Sequence, residues 1–189
     1  MSFWTIGIKK VRIFKWNNVF DEEIKNGMEI RVLTENDAKS FYDCLKSIDQ
    51  ESKYMMFEPD ERVWNEELLK GKLNNKNNLF IGAIEDREII GFLSAEREMY
   101  RRNQHSAYIV TGIREAYCNK GIGTQFFGVL DEWAKENYIK RLELTVETPN
   151  IVAINLYRKS GFVIEGTKKY TMLVNGEYLD EYMMAKIYK

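Results

Sequence analysis

Gly121 and Gly123 stand two residues apart where two different periodicities meet. Upstream, HSAYIVTGI (105–113) reads as a strand. Downstream, Ile122, Phe126, Val129, Leu130 and Trp133 recur at helical spacing and form one apolar stripe. A strand that runs through glycines into a helix presents the unpaired N–H groups of the helix start, with about half a positive charge from the macrodipole. Glycine lets an anion approach that backbone closely. Lys120 to Thr124 therefore form a candidate phosphate or pyrophosphate cradle, to which Lys120 adds a cation and Thr124 a hydroxyl. The same glycines also suit a tight turn with close helix packing. Two familiar nucleotide loops do not fit. No Gly-Lys-Ser/Thr end of a P-loop follows Gly121, and Phe126 occupies the third glycine position of the dinucleotide fingerprint.

The chain of 189 residues suits one compact domain, with 44% apolar and 30% charged residues. A net charge of −1 with mixed signs argues against nucleic-acid binding through bulk phosphate attraction. No apolar run reaches the length of a membrane span. Cys44 and Cys118 make no disulfide framework, which points to the reducing cytoplasm. With His105 as the single histidine, a multi-histidine zinc site is excluded and no metal is expected. Residues 1–27 read as an N-terminal extension, either an appended arm or an edge strand, and residues 28–189 as the domain proper.

Within that domain, EIRVL (29–33) alternates as a strand, and Ala38, Phe41, Leu45 and Ile48 mark a helix. ERVWNEELLKGKL (61–73) reads as a second helix. Strands LFIGAIE (79–85) and EIIGFLSAERE (88–98) are joined by a tight turn at Asp86-Arg87. After the glycine loop and its helix, RLELTVE (141–147) alternates as a strand. A short helix over 150–160 ends at Gly161, and two strands flank Asn175-Gly176, a strong hairpin signal. The order β-α-α-β-β-β-α-β-α-β-β predicts an α/β fold: one mixed sheet with helices on both faces.

Two segments in sequence, GIREAYCNKGIGTQFFGVLDEWA and LELTVETPNIVAINLYRKSGF, resemble the GNAT superfamily of N-acetyltransferases. The later family motif is complete in Asn150, Ala153, Tyr157, Gly161 and Phe162. The earlier one departs at its first position, where Cys118 replaces Gln or Arg, with Asn119 and Lys120 before Gly121. The resemblance implies a mostly antiparallel twisted sheet splayed between its fourth and fifth strands, and transfer of an acetyl group from acetyl-CoA (coenzyme A) to a primary amine.

By the same resemblance, the pyrophosphate would rest on the backbone from Cys118 through Asn119, Lys120, Gly121, Ile122, Gly123 and Thr124. Pantetheine would lie between the splayed strands, with a bulge at Gly112 freeing the Ile113 N–H as an oxyanion donor. Tyr157 would protonate the leaving thiolate, since a phenol near pKa about 10 can donate to a thiolate of conjugate pKa about 8.5. Asn150 would hold the pantetheine amides, with Asn155 a weaker contact. Glu96, late in its strand, and Glu147, just before the Asn150 helix, are the candidate general bases, acting directly or through water; Tyr108 stands where related enzymes often place a carboxylate, a departure from the family pattern. A helix start can lower the pKa of a cysteine such as Cys118, but the resembled chemistry uses no cysteine there, so Cys118 is expected to be a spectator or a loop-packing residue. Glu51, Tyr54 and Glu58, in the segment between the first two helices, are candidates for acceptor binding. The acceptor would be a small-molecule amine such as an amino acid or polyamine. The alternatives are a protein N-terminal or ribosomal-protein acetyltransferase, or a silent acyl-CoA sensor. A homodimer is compatible with the family.

Overall fold

The computed structural model describes residues 27–189; the expected extension 1–27 lies outside them except for Gly27. Among these residues eleven strands and α-helices follow in the predicted order. They are β1 (Glu29–Val32), α1 (Ala38–Glu51), α2 (Glu66–Asn74), β2 (Leu79–Glu85), β3 (Glu88–Arg97), β4 (Ser106–Ile113), α3 (Ile122–Glu136), β5 (Arg141–Glu147), α4 (Ile151–Lys159), β6 (Val163–Val174) and β7 (Glu177–Ile187). The strands form one seven-stranded sheet in the order β1-β2-β3-β4-β5-β7-β6. Every neighbouring pair is antiparallel except β4 and β5.

Alternation along the strands sends side chains to opposite faces and builds two cores. On one face Phe80, Ile89 and Phe92 meet Phe41, Cys44, Leu45 and Ile48 of α1. On the other, Leu79, Ile81, Leu93, Ile109, Leu142, Leu144 and Val146 meet Ile122, Phe126, Leu130 and Trp133 of α3, and Ile154 and Tyr157 of α4. Both hairpin turns adopt positive φ at their two central residues, Asp86 and Arg87 in one and Asn175 and Gly176 in the other, matching strand twist.

α2 begins at Glu66, five residues after the sequence-based start. The Asn65 side chain caps it by accepting from Leu68 N–H at 3.0 Å. The preceding residues are held differently: Arg62 makes a two-pronged salt bridge to the buried Asp49 of α1 and lies over the Phe57 ring at 4.3 Å.

Candidate functional site

The sheet opens between β4 and β5. Their parallel register runs only from Ser106–Arg141 to Tyr108–Glu143 and then stops. On β4, Arg114 N–H bonds to Ile90 and Ser106 C=O accepts from Glu98. The even-numbered residues thus bond to β3, and the backbone groups of Ile109, Thr111 and Ile113 point toward β5. On β5, Thr148 N–H bonds to Asp180 and Lys140 C=O accepts from Tyr188, so the backbone of Thr145 and Glu147 faces β4. A wedge lined by main-chain donors and acceptors results.

The expected bulge at Gly112 is absent, because β3 and β4 pair without a register shift from Gly91–Ile113 to Arg97–Ala107. Ordinary strand alternation turns the Ile113 N–H to the wedge. Gly112 serves α1 packing: a Cβ there would stand 3.1 Å from the Phe92 ring and 3.2 Å from Ile48.

At the closed end of the wedge, the Tyr108 hydroxyl lies 2.9 Å from Thr145 Oγ1 and accepts from Thr145 N–H at 3.3 Å. Tyr157 approaches from α4 on the opposite face of the sheet. Its ring is buried and packs edge-on against Phe127 at 5.6 Å. Burial pushes its phenol well above the ordinary value, and the Tyr108 phenol acts in the same direction. The group stays protonated at neutral pH.

The glycine loop opens α3 without a side-chain cap. Gly121 takes the N-cap position at φ 82, a left-handed conformation natural to glycine, and no described residue lies within 4 Å of where its Cβ would be. Gly123 is different. A Cβ there would come 2.7 Å from Leu156 Cδ2, so its absence lets α3 lie against α4. Asn119, Lys120 and Thr124 are exposed around the helix start, Ile122 is buried beneath it, and Lys120 Nζ sits 4.6 Å over the Tyr117 ring.

Cys118 Sγ lies 3.7 Å from Ile113 C=O and 3.6 Å from Arg114 C=O. Its pKa is raised rather than lowered, through burial first and then the Glu115 and Glu51 charges.

The remaining predicted residues separate. Asn150 caps α4, its side chain accepting from Ala153 N–H at 3.2 Å, and Asn155 is exposed on that helix. Glu96 pairs with Tyr108 at the closed end and is bound by Lys72 Nζ at 2.8 and 3.0 Å, five residues of β4 from Ile113. That is roughly 16 Å along the strand, so Glu96 does not meet Ile113. Glu51 is also engaged: it accepts from Arg114 Nε at 3.2 Å and Glu115 N–H at 2.7 Å, steadying the chain as it leaves β4. Tyr54 is half-buried under the Lys53 ammonium, 5.3 Å from its ring, and Glu58 is exposed. Glu147 ends β5 as a buried carboxylate. Thr145, which ties Tyr108 to β5, was missed in sequence; its polar place in an alternating strand was the available signal.

The model of the acetyltransferase (GNAT) family matches residues 39–162. The L-amino acid N-acetyltransferase AaaT of Escherichia coli (strain K12) is 31% identical over 133 residues, covering 68% of this chain and 78% of that protein. The chain belongs to the acetyltransferase (GNAT) family. A GNAT-family acetyltransferase from Streptococcus pneumoniae has the same fold, with a TM-score of 0.80 and 28% identity over 85% of this chain and 99% of its own. The yncA structure from Salmonella typhimurium, described with its cofactor acetyl-CoA, superposes with a TM-score of 0.74 at 16% identity, covering 86% and 94% of the two chains. This acetyltransferase has, among its described residues, no helix long and apolar enough to cross a membrane.

Proposed function

We propose that this acetyltransferase moves an acetyl group from acetyl-CoA to the primary amine of a small molecule, by direct attack, with Tyr157 as the general acid. The observation that carries the reading is the wedge: free backbone groups on β4 lead to Ile113, and a buried, protonated phenol stands on α4. The uncapped start of α3, from Lys120 to Thr124, would receive the pyrophosphate, with Cys118 and Asn119 lining the approach. The backbone of Ile109, Thr111 and Ile113 would hold the pantetheine arm, as a neighbouring strand would be held. The side-chain oxygen of Asn150 caps its helix, leaving its amide N–H groups for that arm.

Attack by the free amine breaks the carbonyl π bond and places negative charge on oxygen, where the Ile113 N–H would stabilise it. Collapse breaks the C–S bond. The sulfur takes the Tyr157 proton, and the phenolate recovers one from the nitrogen, which becomes the neutral amide. An amino acid or polyamine is the acceptor class; the likeness to the E. coli amino-acid enzyme supports the first. Two free cysteines, one buried with its thiol pushed up to about 12, suit the reducing cytoplasm.

The test is thiol release from acetyl-CoA across a panel of amino acids, polyamines and peptides. Release with small amines supports the reading. Release only with peptide N-termini replaces it with protein acetylation, and tight coenzyme A binding without release replaces it with a sensor.

A further inference from the structure

Glu147 is 4% exposed, and its Oε2 is buried without a hydrogen-bond partner among the described residues. A carboxylate oxygen removed from water without a donor is costly to a fold. The other buried acid among the described residues, Asp49, shows the usual remedy in its bridge to Arg62. Glu147 lacks one, and its strand neighbour compounds the difficulty.

Its register partner on β7 is Glu181, at a non-hydrogen-bonded position where side chains approach most closely. Like charges directly opposite one another repel. The nearby cations come from two other segments. Lys53, exposed after α1, favours the ionised form of Glu147, and Lys168 of β6 is exposed across from Glu181. Burial and Glu181 outweigh Lys53, so the Glu147 carboxyl sits above the ordinary carboxylate value.

Position gives this pair a use. Glu143, Thr145 and Glu147 alternate with the buried Leu144 and Val146, so their side chains lie on the α1 side of the sheet, while Tyr157 belongs to the opposite core. Glu147 ends the strand on the open side of the wedge, beside its free backbone groups. An acceptor entering from the α1 side would meet the two carboxylates before reaching the Ile113 N–H.

We infer that Glu147 and Glu181 form the ammonium-binding site of the acceptor, and that the Glu147 carboxylate takes its proton. The assignment rests on the acetyl-transfer reading above and deepens it. One N–H bond of the ammonium breaks, an O–H bond forms on Glu147, and the freed lone pair attacks the thioester carbon. The proton leaves to solvent before the next turnover. A carboxyl held above its usual pKa is a better proton acceptor than an exposed one. The site favours aliphatic amines, which arrive as cations, over arylamines, which arrive neutral.

Two measurements on the full chain test this, with 1,4-diaminobutane as the probe, the first with coenzyme A bound and the second with acetyl-CoA as the donor. The first is a carboxyl 13C NMR titration of labelled glutamates, with Glu147 assigned by its loss in Glu147→Gln. Adding diaminobutane is expected to move the Glu147 midpoint to lower pH, with a weaker shift in Glu181→Gln; an unmoved midpoint overturns the ammonium site. The second is kcat/KM against pH for diaminobutane acetylation. Glu147→Gln is expected to lower it about a hundredfold and remove the acidic limb, with coenzyme A affinity held within about twofold. Glu181→Gln is expected to shift that limb to lower pH, because a repelling charge is gone. An intact limb in Glu147→Gln overturns the base assignment. A shifted NMR midpoint with no thiol release leaves the ammonium site standing and removes the transfer reading, so the two failures are distinguishable.

Discussion

The Tyr108 hydroxyl accepts from Thr145 N–H at 3.3 Å, so a side chain from β4 occupies a backbone site on β5 just where the two strands stop pairing. The bond marks the inner end of the wedge. It also uses a tyrosine where family resemblance led one to look for a carboxylate. Tyr108→Phe is expected to speed hydrogen exchange at the Thr145 amide severalfold and to lower stability by about 1 kcal/mol. Coenzyme A should still bind. Unchanged exchange at Thr145 would show that the strands part without this bond.

Tyr157→Phe is expected to reduce kcat about a hundredfold and to leave the coenzyme A dissociation constant within about twofold. A proton needed only as sulfur leaves belongs to the transition state. Unaltered kcat at neutral pH would remove Tyr157 from the chemistry.

The two loop glycines should fail differently. Gly123→Ala puts a methyl 2.7 Å from Leu156 Cδ2, so the α3–α4 contact must shift. Stability should fall, and Leu156→Ala should recover part of the loss in a double-mutant cycle. Gly121→Ala meets open space but keeps φ 82, so its penalty of about 1 kcal/mol is conformational and insensitive to Leu156. Equal coupling of both variants to Leu156 would contradict this division.

Asp37 accepts from both terminal nitrogens of the Arg31 guanidinium at 2.7 and 2.9 Å, and Arg31 first, then the Thr34 backbone, hold its carboxyl at about 2. A folded pKa below the unfolded value stabilises above the unfolded pKa of about 3.9, and that stability is lost as pH falls through the folded pKa. Asp37→Asn should therefore melt lower than the parent at pH 7, with the difference shrinking between about pH 4 and 2. A difference constant across that window would exclude the ion pair as its source.

The succession of elements was legible in the sequence because periodicity, the Asp86-Arg87 and Asn175-Gly176 turns and the Gly161 stop are local signals. What failed was non-local. ERVW at 61–64 carries a helical pattern, yet Asp49 claims Arg62 and Asn65 caps the helix behind it. Gly112 suggested a bulge, but its neighbours are Phe92 and Ile48, far away in sequence. The Gly123 contact with Leu156 and the Glu147 partnership with Glu181 depend on packing and strand register, which no window of sequence contains. Cys118 stands beside a helix start, yet partial desolvation and two acidic neighbours, Glu115 and Glu51, raise its pKa, a balance set by packing.

Amide 15N–1H shifts during coenzyme A titration test the central claim most directly. Binding in the wedge requires the largest changes at Lys120 to Thr124 and at Ile109, Thr111 and Ile113. Saturable binding with those amides unmoved, and the shifts gathered on another part of the sheet, would contradict it.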